Sequence, residues 1–480
     1  MSHGPGASSG LSCGARRRSR PIRGTLSGMS PNGAHRTLRP KGRHAASFED
    51  FEAALGILDC SGEEDHSYTL SSGPCAARSL HSPSMKPSLR PLDGITVLAL
   101  EHAVAAPFAS RQLADLGARV IKVERPLVGD FARDYDHSVH GQSSFFVWAN
   151  RGKESLTLDL KKPEAKAIVH KLLAEADVFI QNLAPGAAQR MGLDFESLHA
   201  DYPELIVCDI SGYGDSGPYR DKKAYDLLIQ AAAGLISVSG TEAAPSRTGI
   251  SIADIAAGMY AYTGILSALL QRARTGAGLR VEVTMLEALS EWMSYPLNFA
   301  HYGGTPPARN GVAHPGIAPY GQYQTGDGAS VIFGLQNERE WQRFCSEVLE
   351  DPALAADDRF NSNLQRVANR AALDQEIASH LRSMTGEQLV KRLDRGGIAN
   401  SPLNDMHDVW QHAQFAARNR WREVQTPGGA IQALLPPATL SGVPASMGNV
   451  PAVGEHSASV LKSLGMNEAE IEALVAAGTI

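Results

Sequence analysis

The stretch ITVLALEHAVAAPFASRQLADLGARVIKVER, residues 95–125, decides the fold class. Residues 95–100 form a short apolar run that is typical of a buried strand. Residues 107–116 carry apolar side chains at helical spacing, and Gly117 follows as a stop signal. Residues 119–124 form a second apolar strand. A strand, a helix and a strand in this order predict a parallel sheet, because a parallel crossover needs a connection of helix length.

The alternation of strands and helices continues through the chain. Further strands are predicted at residues 178–181, 205–210 and 280–284, and further helices at 164–174, 254–275, 286–300, 338–347, 361–372, 386–394 and 468–477. We therefore expect an α/β fold with a doubly wound, Rossmann-like parallel sheet and a second, smaller α+β domain. The predicted division is a disordered basic extension (1–90), a large α/β domain (91–305), a small domain (306–405) and a C-terminal return to the large domain (406–480).

Composition excludes several classes of protein. The 480 residues are 43% hydrophobic and 20% charged, as expected of a globular chain, and a net charge of −6 gives no sign of a nucleic-acid partner. The sequence lacks an apolar run of about 18 residues, so no membrane span is expected. Five scattered cysteines without metal-ligand spacing predict a reducing compartment, a cytoplasmic location and no bound metal.

The first 48 residues differ from the rest of the chain. They carry eight Arg, one Lys and no acidic residue, whereas the remaining residues have 36 basic against 51 acidic side chains. One interpretation is an organellar presequence, which would place the protein in the mitochondrial matrix. The other is an extension outside the true coding sequence, because Met85 stands just before the ordered pattern begins.

The turn after the first strand tests a dinucleotide-binding interpretation. A strand, a helix and a strand that ends in Glu124 suggest that fold, in which the acidic residue holds a ribose. Residues 101–107 read EHAVAAP and lack the GxGxxG glycines that let backbone approach a pyrophosphate. Hydride transfer with such a cofactor is therefore excluded as the leading hypothesis.

Cationic and polar residues follow three predicted strand ends. Arg125 follows residues 119–124, Asn182 and Arg190 follow 178–181, and Lys223 and Tyr225 come after 205–210. Ligands of α/β sheets bind at the carboxyl ends of the strands, so these side chains are expected to converge on a phosphate-bearing ligand. Solvated surface charge is the simpler alternative for each residue taken alone.

Asp254 stands among small and apolar residues in ADIAAGM, residues 253–259. One interpretation is a helix N-cap, which typically contributes about 1 kcal/mol. The other is a carboxylate nucleophile at the positive end of a helix, with room for a substrate beside it. The sequence leaves both interpretations open, and they are compatible.

Several ordered motifs resemble one family. They are RVIKVER (119–125), QNLAPGAAQRMGL (181–193), SGYGDSGPY (211–219), KKAYDLLIQAAAG (222–234), ADIAAGMYAYTGILSALL (253–270) and GEHSASVLKSLGMNEAEIEAL (454–474). Together they are similar to the class III CoA-transferases, which include the formyl-CoA and carnitine CoA-transferases. The resemblance runs from about residue 92 to the end of the chain.

The resemblance implies a mechanism and a set of contacts. Asp254 would be the nucleophile that carries CoA as an aspartyl thioester, with coenzyme A as a substrate and no permanently bound cofactor. Family members form interlocked homodimers. The positions that match the family's CoA contacts are Val104, Ala105, Arg125, Leu158, Asn182, Arg190, Lys223 and Tyr225. Many members carry Gln where Val104 stands.

Two alternative functions remain on the same fold. A sister group racemises 2-methylacyl-CoA esters with a His directly before the Asp of the segment that here ends in Tyr225 and Asp226. Tyrosine is a poor base near neutral pH, which disfavours the racemase. A catalytically inactive CoA-binding protein is the non-enzyme alternative, and an intact Asp254 argues against it.

The segment AHPGIAPY, residues 313–320, bears on the substrate. It is similar to the subgroup that acts on dicarboxylates, namely the succinyl, glutarate, mesaconyl, itaconate and citramalate CoA-transferases. His314, Arg247 and Arg309 are candidates to meet a distal carboxylate. For His314, packing beside Pro315 is the alternative interpretation.

Overall fold

A parallel sheet forms the centre of the fold. The computed structural model describes residues 90–480, so the predicted basic extension lies outside the described residues. The six strands are β1 (Thr96–Leu100), β2 (Arg119–Glu124), β3 (Lys153–Thr157), β4 (Val178–Gln181), β5 (Ile206–Ser211) and β6 (Arg280–Thr284). They pair in the order β3-β2-β1-β4-β5-β6, all parallel. The predicted doubly wound α/β sheet is confirmed.

Helices cover both faces of this sheet. They are α1 (Ala105–Asp115), α2 (Ser144–Asn150), α3 (Pro163–Leu173), α4 (Ala187–Met191), α5 (Phe195–Asp201), α6 (Asp226–Ala232), α7 (Leu235–Val238), α8 (Ile252–Thr275), α9 (Met285–Trp292) and α10 (Ser294–Gly303), with a 3-10 turn at Phe131–Asp134. One core joins α1, α8 and α9 to the sheet. The other face packs on α3 and α5, and on two helices near the C-terminus, α17 (Ser457–Ser463) and α18 (Glu468–Ala476).

Helix α8 packs against α1 without an intervening side chain at one point. A Cβ on Gly258 would lie 2.7 Å from the Ala105 carbonyl oxygen and 2.9 Å from the Phe108 ring, so only glycine allows this approach. By length and composition α8 could cross a membrane. Its small residues Ala253, Ala257 and others instead lie in the core between α1 and the sheet.

A second group of elements has its own core. Strands β7 (Tyr320–Gln324), β8 (Ser330–Gly334) and β9 (Ala399–Pro402) form an antiparallel sheet, and β10 (Trp421–Thr426) and β11 (Gly429–Leu434) form a hairpin. The helices of this part are α11 (Glu338–Arg343), a π turn (Phe344–Val348), a 3-10 turn (Pro352–Ala356), α12 (Asn363–Ala368), α13 (Arg370–Leu381), α14 (Gly386–Arg395), α15 (Met406–Trp410) and α16 (Ala413–Ala417). Buried residues between 318 and 398 form a separate cluster. The β10–β11 hairpin is not part of that cluster and packs on α2 through Val424, Phe146 and Val147. The exact domain boundaries remain a prediction.

The segment near the C-terminus completes the edge of the large sheet. On edge strand β3 the Ser155 N–H donates to Nδ1 of His456 at 3.2 Å, and the His456 N–H donates to the Ser155 carbonyl at 2.9 Å. The Thr157 N–H donates to the Ser457 hydroxyl at 3.1 Å. These bonds satisfy an edge that would otherwise expose unpaired backbone groups.

Three local predictions were wrong. The single helix expected at 361–372 is two helices, α12 and α13, which meet at Asn369. Strand β3 is absent from the predicted elements because Lys153, Glu154 and Ser155 break the apolar pattern. The single helix expected at 286–300 is divided into α9 and α10. Pro296 explains the division, because its ring would clash with the carbonyl of Trp292 four residues earlier, and α9 ends there.

The bond between His456 and β3 gives a test of the edge closure. His456→Ala leaves the buried Ser155 N–H without its acceptor, so we expect the free energy of unfolding to fall by about 1–3 kcal/mol. Urea denaturation measures the change. His137→Ala, at an exposed histidine, is the control and should stay within about 0.5 kcal/mol of the wild type. Equal effects of the two variants would contradict the assignment.

Candidate active site

The site lies where the strand order reverses, between β1 and β4. The Asn182 side chain after β4 accepts from the His102 N–H and donates to the His102 carbonyl, both at 2.9 Å. Hydrogen bonds between the Asn182 side chain and the His102 backbone therefore join the two strand ends, at the crevice where ligands of doubly wound sheets bind. In this arrangement the Asn182 amide fixes the loop after β1.

Buried ion pairs lie beneath the same loop. Lys153 Nζ donates to Glu101 Oε1 at 2.6 Å, and Lys122 Nζ donates to Asp130 Oδ2 at 2.8 Å and lies 3.4 Å from Glu101 Oε1. Asp130 Oδ1 accepts from the N–H of Ala103, whose φ is +60°. Burial alone would raise the pKa of Glu101, but the two lysines hold it below its ordinary value. Burial lowers the pKa of Lys153 to about 7, whereas Asp130 and Glu101 hold the pKa of Lys122 above its ordinary value despite its burial. Together these contacts hold the loop in its conformation, with Ala103 at positive φ.

Asp254 is the third residue of α8 and not its N-cap, which corrects the capping interpretation. Ser251 occupies the cap position without a side-chain cap bond, and the helix begins at Ile252. The capping acceptor comes from another helix, because Asp226 Oδ1 accepts from the Ala253 N–H at 2.8 Å. The Asp254 carboxylate makes no hydrogen bond or ion pair with the described part of the chain.

The surroundings of Asp254 make its carboxylate unusually basic. Burial raises the pKa of Asp254 to about 7, and the neighbouring Asp226 carboxylate adds to the increase. The negative charge of Asp254 also acts on Tyr135. Burial raises the pKa of Tyr135 to about 12, and the charges of Asp130 and Asp254 add to the increase. Tyr225 interacts with Tyr135 as well. Tyr135 therefore lies within electrostatic range of the Asp254 carboxylate.

The predicted contacts fall into two groups. Arg125, Arg190, Lys223 and Tyr225 are exposed at or beyond strand ends, where they are free to meet a ligand. Leu158, Val104 and Ala105 are buried, at 1%, 3% and 2% exposure. Any contact of these three with a ligand must therefore use backbone atoms or follow a local shift.

The candidate substrate residues differ in how many hydrogen bonds their side chains already make within the chain. Arg309 donates to the carbonyls of Thr241, Ser237 and Glu242, so its guanidinium braces that loop. Arg247 is exposed and makes one bond, to the Thr248 carbonyl at 3.3 Å. His314 stacks on Tyr320 at 5.3 Å and accepts from the Gly316 N–H through Nδ1. Of the three, Arg247 is the least engaged cation, on the loop before α8.

A cavity of about 520 Å³ opens beside this site, at the ends of β4, β5 and β6. Its carboxylates are Asp194, Glu196, Asp209, Asp215, Asp221 and Glu282. Arg280 pairs with two of them, Asp209 at 2.7 Å and Asp215 at 2.8 Å. The six carboxylates outnumber the two arginines of the lining, Arg220 and Arg280, which disfavours a phosphate in this cavity. Within residues 90–480, no group of His, Cys, Asp or Glu side chains has the arrangement of a metal site.

Three residues at the site were not predicted. Asp226 caps α8, Gln230 bonds to Asp226 at 2.7 Å, and Tyr135 faces Asp254. Asp226 and Gln230 stand at i and i+4 in YDLLIQ, and a polar pair at that spacing within an apolar helix was the available signal. The position of Tyr135 follows a long loop and left no local signal.

Comparison with known proteins identifies the class. The profile of CoA-transferase family III matches residues 92–457. The chain therefore belongs to CoA-transferase family III and is an enzyme of that class, as the sequence motifs predicted.

Individual relatives agree with this assignment. The chain is 34% identical over 398 residues to succinyl-CoA:glutarate CoA-transferase of Mus musculus, which covers 82% of this chain and 91% of the relative. It is 34% identical over 392 residues to succinate–glutarate CoA-transferase of Agrobacterium fabrum, covering 80% and 97%. A crystal structure of a CaiB/BaiF family protein from Brucella suis is similar with a TM-score of 0.71 at 35% identity, covering 78% of this chain and 100% of that one.

The raised pKa of Asp254 predicts that its ionised carboxylate lowers the stability of the folded chain at neutral pH. Asp254 binds its proton more tightly in the folded chain, near pH 7, than in the unfolded chain, where the ordinary value is 3.8. Stability is therefore lost as pH rises from about 4 to about 7, and the full cost remains above that range. Asp254→Asn removes this cost, so we expect its free energy of unfolding at pH 8 to exceed the wild-type value by about 3 kcal/mol.

Urea denaturation at pH 5 and pH 8 measures this gain, which should be markedly smaller at pH 5. Glu472→Gln, at an exposed carboxyl on α18, is the control and should change stability little at either pH. A gain for Asp254→Asn that is the same at both pH values would contradict the raised pKa.

Proposed function

We propose that this CoA-transferase moves CoA from an acyl-CoA, a dicarboxylyl-CoA such as succinyl-CoA, to a free carboxylic acid through an aspartyl-CoA thioester on Asp254. The observation that carries the proposal is the free and basic Asp254 carboxylate in the first turn of α8. The carboxylates beneath the β1 loop are paired with cations, Glu101 and Asp130 with lysines and Glu124 with Arg133. An unpaired carboxylate with a pKa near 7 combines a useful ionised fraction with high nucleophilicity.

The reaction balances without a proton donor or a redox partner. An Asp254 carboxylate oxygen attacks the thioester carbonyl of the donor, the C–S bond breaks, and CoA thiolate and a mixed anhydride form. The thiolate attacks the Asp254 carbonyl carbon, the C–O bond of the anhydride breaks, and the donor leaves as a free carboxylate. The acceptor carboxylate then repeats the two steps in reverse order and leaves as its CoA thioester.

The residues around Asp254 support these steps. Asp254 lies in the first turn of the long helix α8, whose positive end favours the developing oxyanions. Arg125, Arg190 and Lys223 are exposed cations suited to the CoA phosphates. Backbone groups at Val104 and Ala105 lie on the loop that the Asp254 helix approaches at Gly258. CoA is bound as a substrate in this proposal.

Racemisation of 2-methylacyl-CoA esters is the alternative on this fold. It needs a second group that exchanges a proton with the substrate near neutral pH. Tyr225, an exposed tyrosine, stands at the position where the racemases carry a histidine. The structure therefore favours transfer, and an inactive CoA-binding protein would have no use for the unpaired Asp254.

The first test is mass spectrometry of the chain after incubation with succinyl-CoA and then borohydride or hydroxylamine. We expect a modified peptide that contains Asp254, because these reagents trap an activated acyl group. Asp254→Ala should lose the adduct and more than about 95% of CoA transfer while still binding CoA. Asp136→Ala, at a carboxylate held by Ser138 and Ser144 on the nearby loop, is the matched control and should keep the adduct.

The outcomes separate the mechanism from the substrate. An adduct with another acyl-CoA but not with succinyl-CoA would keep the mechanism and replace the donor. Transfer activity above a few per cent of wild type in Asp254→Ala would disprove the role of Asp254. No adduct with any thioester would favour the racemase or the inactive binder.

We further propose that the acid substrate carries a second carboxylate that Arg247 meets. Arg247 is exposed on the loop that leads into α8, seven residues before Asp254, and its guanidinium makes a single long bond. Arg309 braces that loop, and His314 lies with Tyr320 on the segment that packs beside it through the Gly311–Gly240 bond. The named activities of the two similar transferases, which act on succinate and glutarate, support this substrate class.

Arg247→Gln tests the second carboxylate. We expect KM for glutarate or succinate as acceptor to rise at least tenfold, because one charge-assisted contact is lost, and KM for butyrate to change less than twofold. Arg274→Gln, at an exposed arginine near the end of α8, is the matched control and should change neither constant. Equal effects of Arg247→Gln on both acids would contradict a contact with the distal group.

A homodimer is also proposed. Helix α10 has no buried residue and exposes Tyr295, Phe299 and Tyr302 at i, i+4 and i+7, with Tyr302 83% exposed. A contiguous apolar helix face of this kind is unusual on a monomer and fits a subunit contact.

A further inference from the structure

Gln230 is a buried polar residue with no charge and no exposed surface. It lies on α6, one turn after Asp226, and its side chain is 0% exposed. Its Nε2 donates to Asp226 Oδ2 at 2.7 Å, and its Oε1 accepts from the Thr248 N–H at 3.1 Å. A buried amide is tolerated because these bonds satisfy both of its ends.

The hydrogen bonds of Gln230 lead through Asp226 to the residue before the nucleophile. Asp226 uses one oxygen for Gln230 and the other for the Ala253 N–H, at 2.8 Å. Ala253 precedes Asp254, and the charge of Asp226 acts on the Asp254 carboxylate. On its other side Gln230 holds Thr248, in the loop between Arg247 and α8. Gln230 therefore connects the substrate-facing loop, the cap of α8 and the nucleophile.

We propose that Gln230 is a positioning residue of the transfer reaction: it fixes the orientation of the Asp226 carboxylate, which in turn holds the first turn of α8 and faces Asp254. The inference rests on the proposed function for its kinetic consequence. Gln230 does not touch the reacting atoms, and it acts through Asp226.

The structure indicates what the loss of Gln230 would change. Without the bond to Nε2, Asp226 can turn towards solvent and release the Ala253 N–H. Asp254 then loses both its fixed backbone and its anionic neighbour. Tyr135 is the other titratable group that interacts with Asp254, and it stays neutral across the working range because its pKa is raised to about 12. The pKa of Asp254 is therefore expected to fall when Asp226 moves away.

Gln230→Met is the principal variant, because methionine fills the same volume without hydrogen bonds. With succinyl-CoA and glutarate we expect kcat to fall 10- to 100-fold and KM for succinyl-CoA to stay within about threefold. The raised pKa of Asp254 predicts an acid limb of kcat/KM near pH 7 in the wild type, and in Gln230→Met this limb should move to lower pH. Ile229→Val, a conservative change at the fully buried neighbour on the same helix, is the matched control and should leave the acid limb in place. Asp226→Asn is an isosteric second variant and should move the limb in the same direction.

A second measurement needs no substrate. The gain in stability from Asp254→Asn is measured from pH 4 to pH 9 in the wild-type and in the Gln230→Met background. We expect the midpoint of the gain to lie at lower pH in the Gln230→Met background, and the gain at pH 8 to be smaller.

The outcomes keep this inference separate from the proposed function. If the wild type transfers CoA and Gln230→Met keeps its kcat and its acid limb, the positioning role is wrong and the transfer mechanism stands. If Ile229→Val moves the limb as far as Gln230→Met, the effect is a general loosening of α6, and the positioning role is again wrong. If the wild type transfers no CoA, the proposed function fails, and the stability measurement alone decides whether Gln230 controls Asp254.

Discussion

The buried pairing of Glu101 with Lys153, and of Lys122 with Asp130, is the interaction on which the rest of the site depends. Glu101 lies directly after β1, Lys122 lies on β2 and Lys153 lies on β3. Asp130 lies in the loop that follows β2. Removing one member would leave an uncompensated buried charge, which typically costs about 3–5 kcal/mol. The chain thus ties strands β1, β2 and β3 and the loop after β1 into a single rigid corner, against which the nucleophile helix packs at Gly258.

Two kinds of carboxylate meet at this corner, and their environments separate their roles. Burial favours the neutral form of both Glu101 and Asp254, but only Glu101 has lysines within contact distance. The pKa of Glu101 is therefore lowered and the pKa of Asp254 is raised. A pair of carboxylates whose environments drive them in opposite directions is typical of sites in which one holds structure and the other reacts.

Much of the fold could be predicted because its decisive signals are local. Strands β2, β4 and β6 have the predicted bounds, since each is an apolar or alternating run between clear breaks. Strand β3 could not be predicted, because Lys153 and Ser155 are polar and become buried only through distant partners, Glu101 and Glu124. The position of Asp254 near the start of α8 could be predicted, but its capping partner Asp226 could not. That partner is 28 residues earlier and meets the helix only in the folded chain.

The edge of β3 has a consequence for how the protein is made. The ribosome completes β1 to β6 long before residues 449–480, which close the β3 edge and supply α17 and α18 to one face of the sheet. Residues 318–398, which form a core of their own, leave the ribosome before residues 449–480 do. Until residues 449–480 emerge, the large sheet therefore has an unpaired edge and an uncovered apolar face, which is the state most open to aggregation and to chaperone binding. A ribosome that stalls before residue 449 would release a chain whose small core is finished and whose parallel sheet is not.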